Sequence, residues 1–166
     1  PFACRAEPGI KTYLDLPVMV VQAYLGDLSQ DDLLVRPVPG ANHIAWQLGH
    51  LISSEHMLIN AVCPDSMPAL PDGFAEQHSK ETAASDDPAA FLQKDDYLRL
   101  MQEQRAGTLA TLAKLSDEDL EKPAPEKFQQ LGKTVGAIFA AQSAHYMMHA
   151  GQWAVVRRKL GRDPLF

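Results

Sequence analysis

The sequence has few of the features that mark membrane proteins or disulfide-stabilised proteins. No stretch approaches the run of about 20 apolar residues that a membrane helix needs, and no basic segment followed by an apolar one opens the chain. The only cysteines, Cys4 and Cys63, form no Cys-x-x-Cys pair, which argues against a disulfide framework and against a zinc ribbon. We therefore expect a cytoplasmic protein in a reducing compartment, without membrane contact.

Basic charge is also scarce. The chain has 15 lysines and arginines against 21 aspartates and glutamates, a formal net charge of -6. Its longest basic run is Arg157, Arg158 and Lys159. Because binding to a phosphate backbone requires a concentrated basic surface, the composition predicts that nucleic acid is not a partner.

The length and the hydrophobic content suit one folded unit. The chain has 166 residues, of which 46% are hydrophobic. A typical domain has about 150 residues, and a chain of this size buries roughly 70% of its unfolded surface without needing a disulfide or metal to fold. We expect residues 1–166 to form a single domain.

The spacing of apolar residues predicts four long helices and no strand. The helices are expected over about residues 10–28, 43–61, 87–115 and 134–160, with Asn42 and Thr134 as caps of the second and fourth. Pro17 is expected to kink the first helix or shift its start. Long connections over residues 63–87 and 116–130 separate the helices. This pattern predicts an all-α, four-helix bundle with long crossover connections.

Histidines on two of these helices form a candidate metal site. His145 and His149 lie four residues apart, so their side chains share one helix face and can converge on one ion. His50 falls on the inward face of the second helix, whereas His43 lies about 10.5 Å earlier along that axis, too far to share its ion. Three imidazoles with open coordination positions suit a catalytic Zn²⁺ or a related ion.

The same spacing also fits histidines that are simply hydrogen-bonded in a core, and this alternative stays open on the residues alone. The other notable side chains near the histidines have ordinary structural interpretations. Trp46 and Met57 are expected to pack in the core, and Gln47 and Gln152 to be surface amides. Glu55 is expected to be a solvated charge. Cys63 is expected to be a buried small apolar side chain and not a nucleophile.

Two segments add a family resemblance. The run Asn42-His43-Ile44-Ala45-Trp46-Gln47-Leu48-Gly49-His50-Leu51 and the run His145-Tyr146-Met147-Met148-His149-Ala150-Gly151-Gln152 resemble the DinB-like (DinB/YfiT) metalloenzyme superfamily. The resemblance implies a DinB/YfiT-type four-helix bundle. It also implies a metal held by His50 of the second helix and by His145 and His149 of the last. No catalytic residue is assigned.

An all-imidazole site favours Zn²⁺, Ni²⁺ or Fe²⁺ over Mg²⁺ or Ca²⁺, which prefer oxygen ligands. The superfamily includes thiol-dependent transferases, so the leading hypothesis is a thiol S-transferase that binds a small-molecule substrate and a low-molecular-weight thiol. Metal coordination lowers the pKa of such a thiol and generates the nucleophile.

Two alternatives remain. A metal-dependent hydrolase is less favoured, because the inward faces carry glutamines and serine instead of a carboxylate base. A non-catalytic, stress-associated metal-binding bundle is the other. Apolar residues left at the end of the chain, Leu165 and Phe166, also suggest a homodimer.

Overall fold

The computed structural model describes residues 6–163 and residue 165, and these residues form α-helices and short 3₁₀ turns without a β-strand. Cys4 and Phe166 lie outside the described residues. The predicted all-α class is confirmed. The helices are α1 (Ala6–Gly26), α2 (Ile44–Val62), α3 (Phe74–Gln77), α4 (Lys94–Leu112), α5 (Asp117–Glu121) and α6 (Val135–Lys159).

The four long helices pack as a bundle in which α1 lies against α6, and α2 lies against both α4 and α6. Large side chains fill its centre and are fully buried, among them Trp153 and Phe139 of α6 and Tyr97 of α4. Packing of the apolar faces supplies most of the stability of such helices, because helix propensity alone is weak. Within the described residues, no helix combines the length and the apolarity needed to cross a membrane.

The first two helices differ from prediction at their N-termini. Helix α1 begins at Ala6, before the expected start at residue 10, and continues through the buried Pro17. The cap of α2 is His43 and not Asn42, because the His43 ring accepts the backbone N–H of Trp46 at Nδ1, 3.1 Å away. An imidazole nitrogen thus replaces, as hydrogen-bond acceptor, the side-chain oxygen that usually caps a helix.

The predicted third helix is shorter in the structure. Asp87 caps only a 3₁₀ turn, Pro88–Ala90, by accepting the backbone N–H of Ala89. Phe91 then takes an extended backbone conformation and buries its ring, so the regular helix α4 starts only at Lys94. The extended backbone at Phe91 therefore separates the 3₁₀ turn from α4, where the sequence pattern predicts one continuous helix. The fourth prediction is accurate, with Thr134 as the cap of α6.

Both predicted connections contain short helices. Residues 116–130 hold α5, which begins with a capping box between Ser116 and Asp119. Residues 63–87 hold α3 and a 3₁₀ turn, Lys80–Thr82. The capping box satisfies two backbone N–H groups that a helix start leaves unpaired, which explains how so short a helix forms.

The connection between α2 and α4 is held to α2 by a buried histidine that sequence reasoning missed. His78 lies flat on α2 at Gly49, where an added Cβ would be 2.0 Å from the ring carbon Cδ2. Its Nδ1 bonds to the carbonyl of Phe74 at 2.8 Å, and its Nε2 to the hydroxyl of Tyr97 at 2.7 Å. Glycine is therefore required at position 49 so that the connection can approach α2 closely.

Candidate metal centre

Three histidines meet between α2 and α6. His50, His145 and His149 each offer one ring nitrogen, and these nitrogens all lie within 4.8 Å of one another. The ring centroids are 5.1 Å apart for His50 and His145, and 5.0 Å apart for His145 and His149. The structure therefore brings together the three residues that the sequence singled out.

All three imidazoles are neutral at pH 7. Burial, together with the neighbouring imidazoles, lowers the pKa of His145 and of His149 to about 4. Burial also lowers the pKa of His50, and the positive charge of Lys80 adds to this effect. A neutral imidazole keeps a nitrogen lone pair available, which is the form that binds a metal ion.

Gln47 orients one of the three rings. Its Oε1 accepts the indole N–H of Trp153 at 2.9 Å and lies 2.8 Å from Nδ1 of His149. Because an indole N–H can only donate, the shared Gln47 atom is an oxygen, and Nδ1 of His149 must donate to it. The proton then resides on Nδ1 and leaves the lone pair on Nε2, an arrangement typical of metal-ligating histidines.

The prediction of a surface amide was therefore wrong for Gln47, which is fully buried, although Gln152 is exposed as expected. The signal was present in the sequence, since Gln47 lies three residues before His50 and so on the same helix face. What the sequence lacked was the partner, a histidine 102 positions later in the chain.

Trp46 supports a second ring. Its indole stacks on His50 with ring centroids 5.0 Å apart and an interplanar angle of 6°. The indole N–H donates to the carbonyl of Ser79 at 3.0 Å. Trp46 is buried, as predicted, and it also ties the His50 ring to the connection between α2 and α4.

The other three of the six histidines in the chain have both ring nitrogens occupied by protein partners. His43 caps α2 through Nδ1 and contacts the carbonyl of Ser85 through Nε2. His56 contacts side-chain amides of Gln104 and Asn60, and His78 is bound as described above. These contacts explain why His43 belongs to a helix cap and not to the histidine cluster.

Glu55 is not the solvated charge that was predicted. It is fully buried, and its carboxylate faces Arg105 of α4, with N–O distances of 3.0 and 3.1 Å. The Thr108 hydroxyl donates to Oε1 at 2.7 Å. The prediction failed because the partner lies on a different helix. With both oxygens engaged, Glu55 is a structural anion and not a free base.

Met57 also departs from prediction, since 49% of its surface is exposed. Its side chain lines an open groove of about 470 Å³ that includes His50 and His145. Cys63 is half-buried and not fully buried as predicted. Burial, and secondarily the negative charge of Asp119, raise the pKa of its thiol, so it stays protonated at neutral pH.

Comparison with known proteins agrees with this architecture. Residues 14–153 match the family model described as the DinB superfamily, and the chain belongs to that superfamily. A solved structure described as a conserved protein of locus from Enterococcus faecalis is similar, with a TM-score of 0.71 and 18% sequence identity. That similarity covers 96% of this chain and 100% of the other, and at this identity it concerns the fold. No curated protein matches the chain.

Proposed function

We propose that His50, His145 and His149 bind one divalent transition metal ion, Zn²⁺, Ni²⁺ or Fe²⁺, and that the chain is a metal-dependent enzyme acting on a small molecule. The convergence of three neutral imidazoles supports this proposal most directly. The residues fit such an ion. Gln47 accepts the proton on Nδ1 of His149, and the lone pair on Nε2 of the same ring therefore stays available to a metal.

Among reactions, we favour thiol S-transfer. A bound metal would lower the pKa of a low-molecular-weight thiol, so that the thiolate reacts with an electrophile without a protein base. The lining of the groove beside the histidines includes no carboxylate, and Glu55 is engaged by Arg105 and Thr108. These observations favour a thiol over water as the nucleophile, because a hydrolase usually needs a carboxylate base.

The first experiment measures metal content by elemental analysis in protein purified without a nickel column. We expect about one ion per chain in the parent protein, and little in His50→Gln or in the His145→Ala, His149→Ala double variant. His43→Gln is the matched control. It removes the buried imidazole that caps α2, so it should lower the melting temperature. The rise in melting temperature that added Zn²⁺ produces should remain. Stoichiometric metal in the double variant would contradict the ligand assignment.

The second experiment separates the functions. If an electrophile is turned over only when both the metal and a small thiol are present, the result supports the transferase. Ester or amide turnover without a thiol would instead establish the hydrolase. Metal binding with no turnover, together with a large loss of stability on chelation, would establish a non-catalytic bundle. The homodimer, the single domain and the cytoplasmic location stay predictions.

A further inference from the structure

The groove beside the histidine cluster has an apolar, uncharged wall. Its lining includes the side chains of Met57, Phe128, Leu131 and Met148, and its polar members besides the histidines are Ser54 and Gln130. None of its lining residues is an aspartate, glutamate, lysine or arginine. Small-molecule sites typically occupy about 300–1,000 Å³, and this groove of about 470 Å³ lies in that range.

Several of these apolar side chains remain in contact with water. Met57 is 49% exposed, Leu131 51% and Met148 59%. A ligand that covers them removes apolar surface from water on both sides, which is favourable. A charged group in the same place would lose its hydration without gaining an ionic partner from the lining, which is unfavourable.

Two cations near this groove, Lys80, whose charge acts on His50, and Lys127, are not among its lining residues. The Lys127 ammonium is 4.7 Å from the centre of the Phe128 ring, and its side chain is exposed. Its charge therefore faces the ring and the solvent. Contact between an ammonium and an aromatic face at an exposed site is worth little, so Lys127 does not turn the groove into an anion site.

The lining of the same groove includes His50 and His145, two of the three clustered histidines. A molecule bound along the apolar wall thus also reaches the candidate metal centre. We propose that the groove binds the uncharged, mainly apolar part of the substrate and directs its reacting end to His50 and His145. This inference rests on the proposed function for the reaction, but the selectivity of the groove can be tested without metal.

The test uses metal-free protein labelled with ¹³C at the methionine methyl groups. NMR titration with 1-butanol, 1-pentanol and 1-hexanol should shift the signals of Met57 and Met148. The signal of Met19, which is 52% exposed on α1 and outside the groove lining, serves as the control. Affinity should rise about fourfold for each added methylene. Hexanoate and hexylammonium should bind at least tenfold more weakly than 1-hexanol.

A matched pair of variants tests the uncharged character of the wall. Leu131→Glu places a carboxylate in the groove, whereas Val38→Glu places one at a position that is equally exposed, at 54%, and outside the lining. We expect Leu131→Glu to weaken 1-hexanol binding at least tenfold and to improve hexylammonium binding. Val38→Glu should change neither. Circular dichroism confirms that both variants are folded.

Three results would overturn the proposal. The first is equal affinity for hexanoate and 1-hexanol, the second is a ligand response confined to Met19, and the third is a Met57 shift that depends on protein concentration without ligand. The last would show that a second copy covers the groove.

Addition of Zn²⁺ and 1-hexanethiol then tests the proposed function separately. If Zn²⁺ raises the affinity for 1-hexanethiol and His145→Ala abolishes this rise, the groove proposal and the metal assignment are both supported. If the alcohols bind but Zn²⁺ does not raise the affinity for 1-hexanethiol, only the metal assignment is contradicted.

Discussion

Substitution of Gly49 by alanine tests the close packing of the α2–α4 connection on α2. The added Cβ would lie 2.0 Å from Cδ2, 2.2 Å from Cγ and 2.3 Å from Nε2 of the His78 ring. All three distances are far below van der Waals contact. The ring is held at both nitrogens by Phe74 and Tyr97, so it cannot move without losing those hydrogen bonds.

The expected loss of stability follows from three effects. Forcing an extra carbon into a packed site costs about 1–3 kcal/mol. Displacement of His78 loses two buried hydrogen bonds at about 1 kcal/mol each. Replacing glycine by alanine inside a helix returns about 1 kcal/mol. We therefore expect Gly49→Ala to lower the free energy of unfolding by about 2–4 kcal/mol.

The assay is urea denaturation of metal-free protein, followed by circular dichroism. Gly151→Ala is the control, because Gly151 lies in α6 and an added Cβ would have no heavy atom within 4 Å. That variant should be more stable by about 0.5–1 kcal/mol. In a His78→Ala background the Gly49→Ala cost should disappear, since the clashing ring is gone.

A different pattern would refute the reasoning. If Gly49→Ala is as stable as Gly151→Ala, the His78 ring does not pack on α2. If Gly49→Ala remains costly in the His78→Ala background, the loss has another origin. Either result would also remove the argument that a close contact at Gly49 anchors the connection that carries Ser79, the partner of Trp46.

Two further predictions concern buried charge and pH. Glu55→Gln leaves Arg105 buried without its anion and should lower the free energy of unfolding by about 3–5 kcal/mol. Arg99→Gln removes only exposed ion pairs and should leave the urea midpoint almost unchanged, so similar losses in the two variants would contradict this account. The second prediction rests on the lowered pKa values of His145 and His149, about 4 in the folded state. An unfolded histidine has a pKa of about 6.5, so the unfolded chain binds more protons between these values. The free energy of unfolding of metal-free protein should therefore be unaffected by these two histidines above about pH 6.5 and should fall as the pH drops towards 4. Urea midpoints that stay constant from pH 7 to pH 5 would contradict it.

Local periodicity accounts for what the sequence predicted well. Apolar spacing predicted four long helices, and the i, i+4 spacing placed His145 and His149 on one helix face. The position of His50 on its own helix predicted that it faces inward. These inferences succeed because a helix face depends only on spacing along the chain, and the meeting of all three rings then follows from the bundle.

The predictions that failed depended on a partner distant in sequence. Glu55 and Gln47 are polar residues whose burial depends on Arg105 of α4 and His149 of α6. No local pattern identifies such partners, and a buried polar side chain is tolerable only when it has one. Met57 was assigned to the core for the converse reason, because a regular helix face does not reveal where neighbouring helices leave a groove.

The sequence by itself therefore determined the four long helices in outline, the family and the three clustered histidines, because these follow from local spacing and from short motifs. Only the tertiary structure decided which histidines keep a free nitrogen, since that depends on the partners of each ring. His43 and His78 are occupied by backbone and hydroxyl groups, whereas His149 retains Nε2 because Gln47 engages Nδ1. The apolar groove is likewise tertiary, because its wall joins side chains from α2, α6 and the segment before α6.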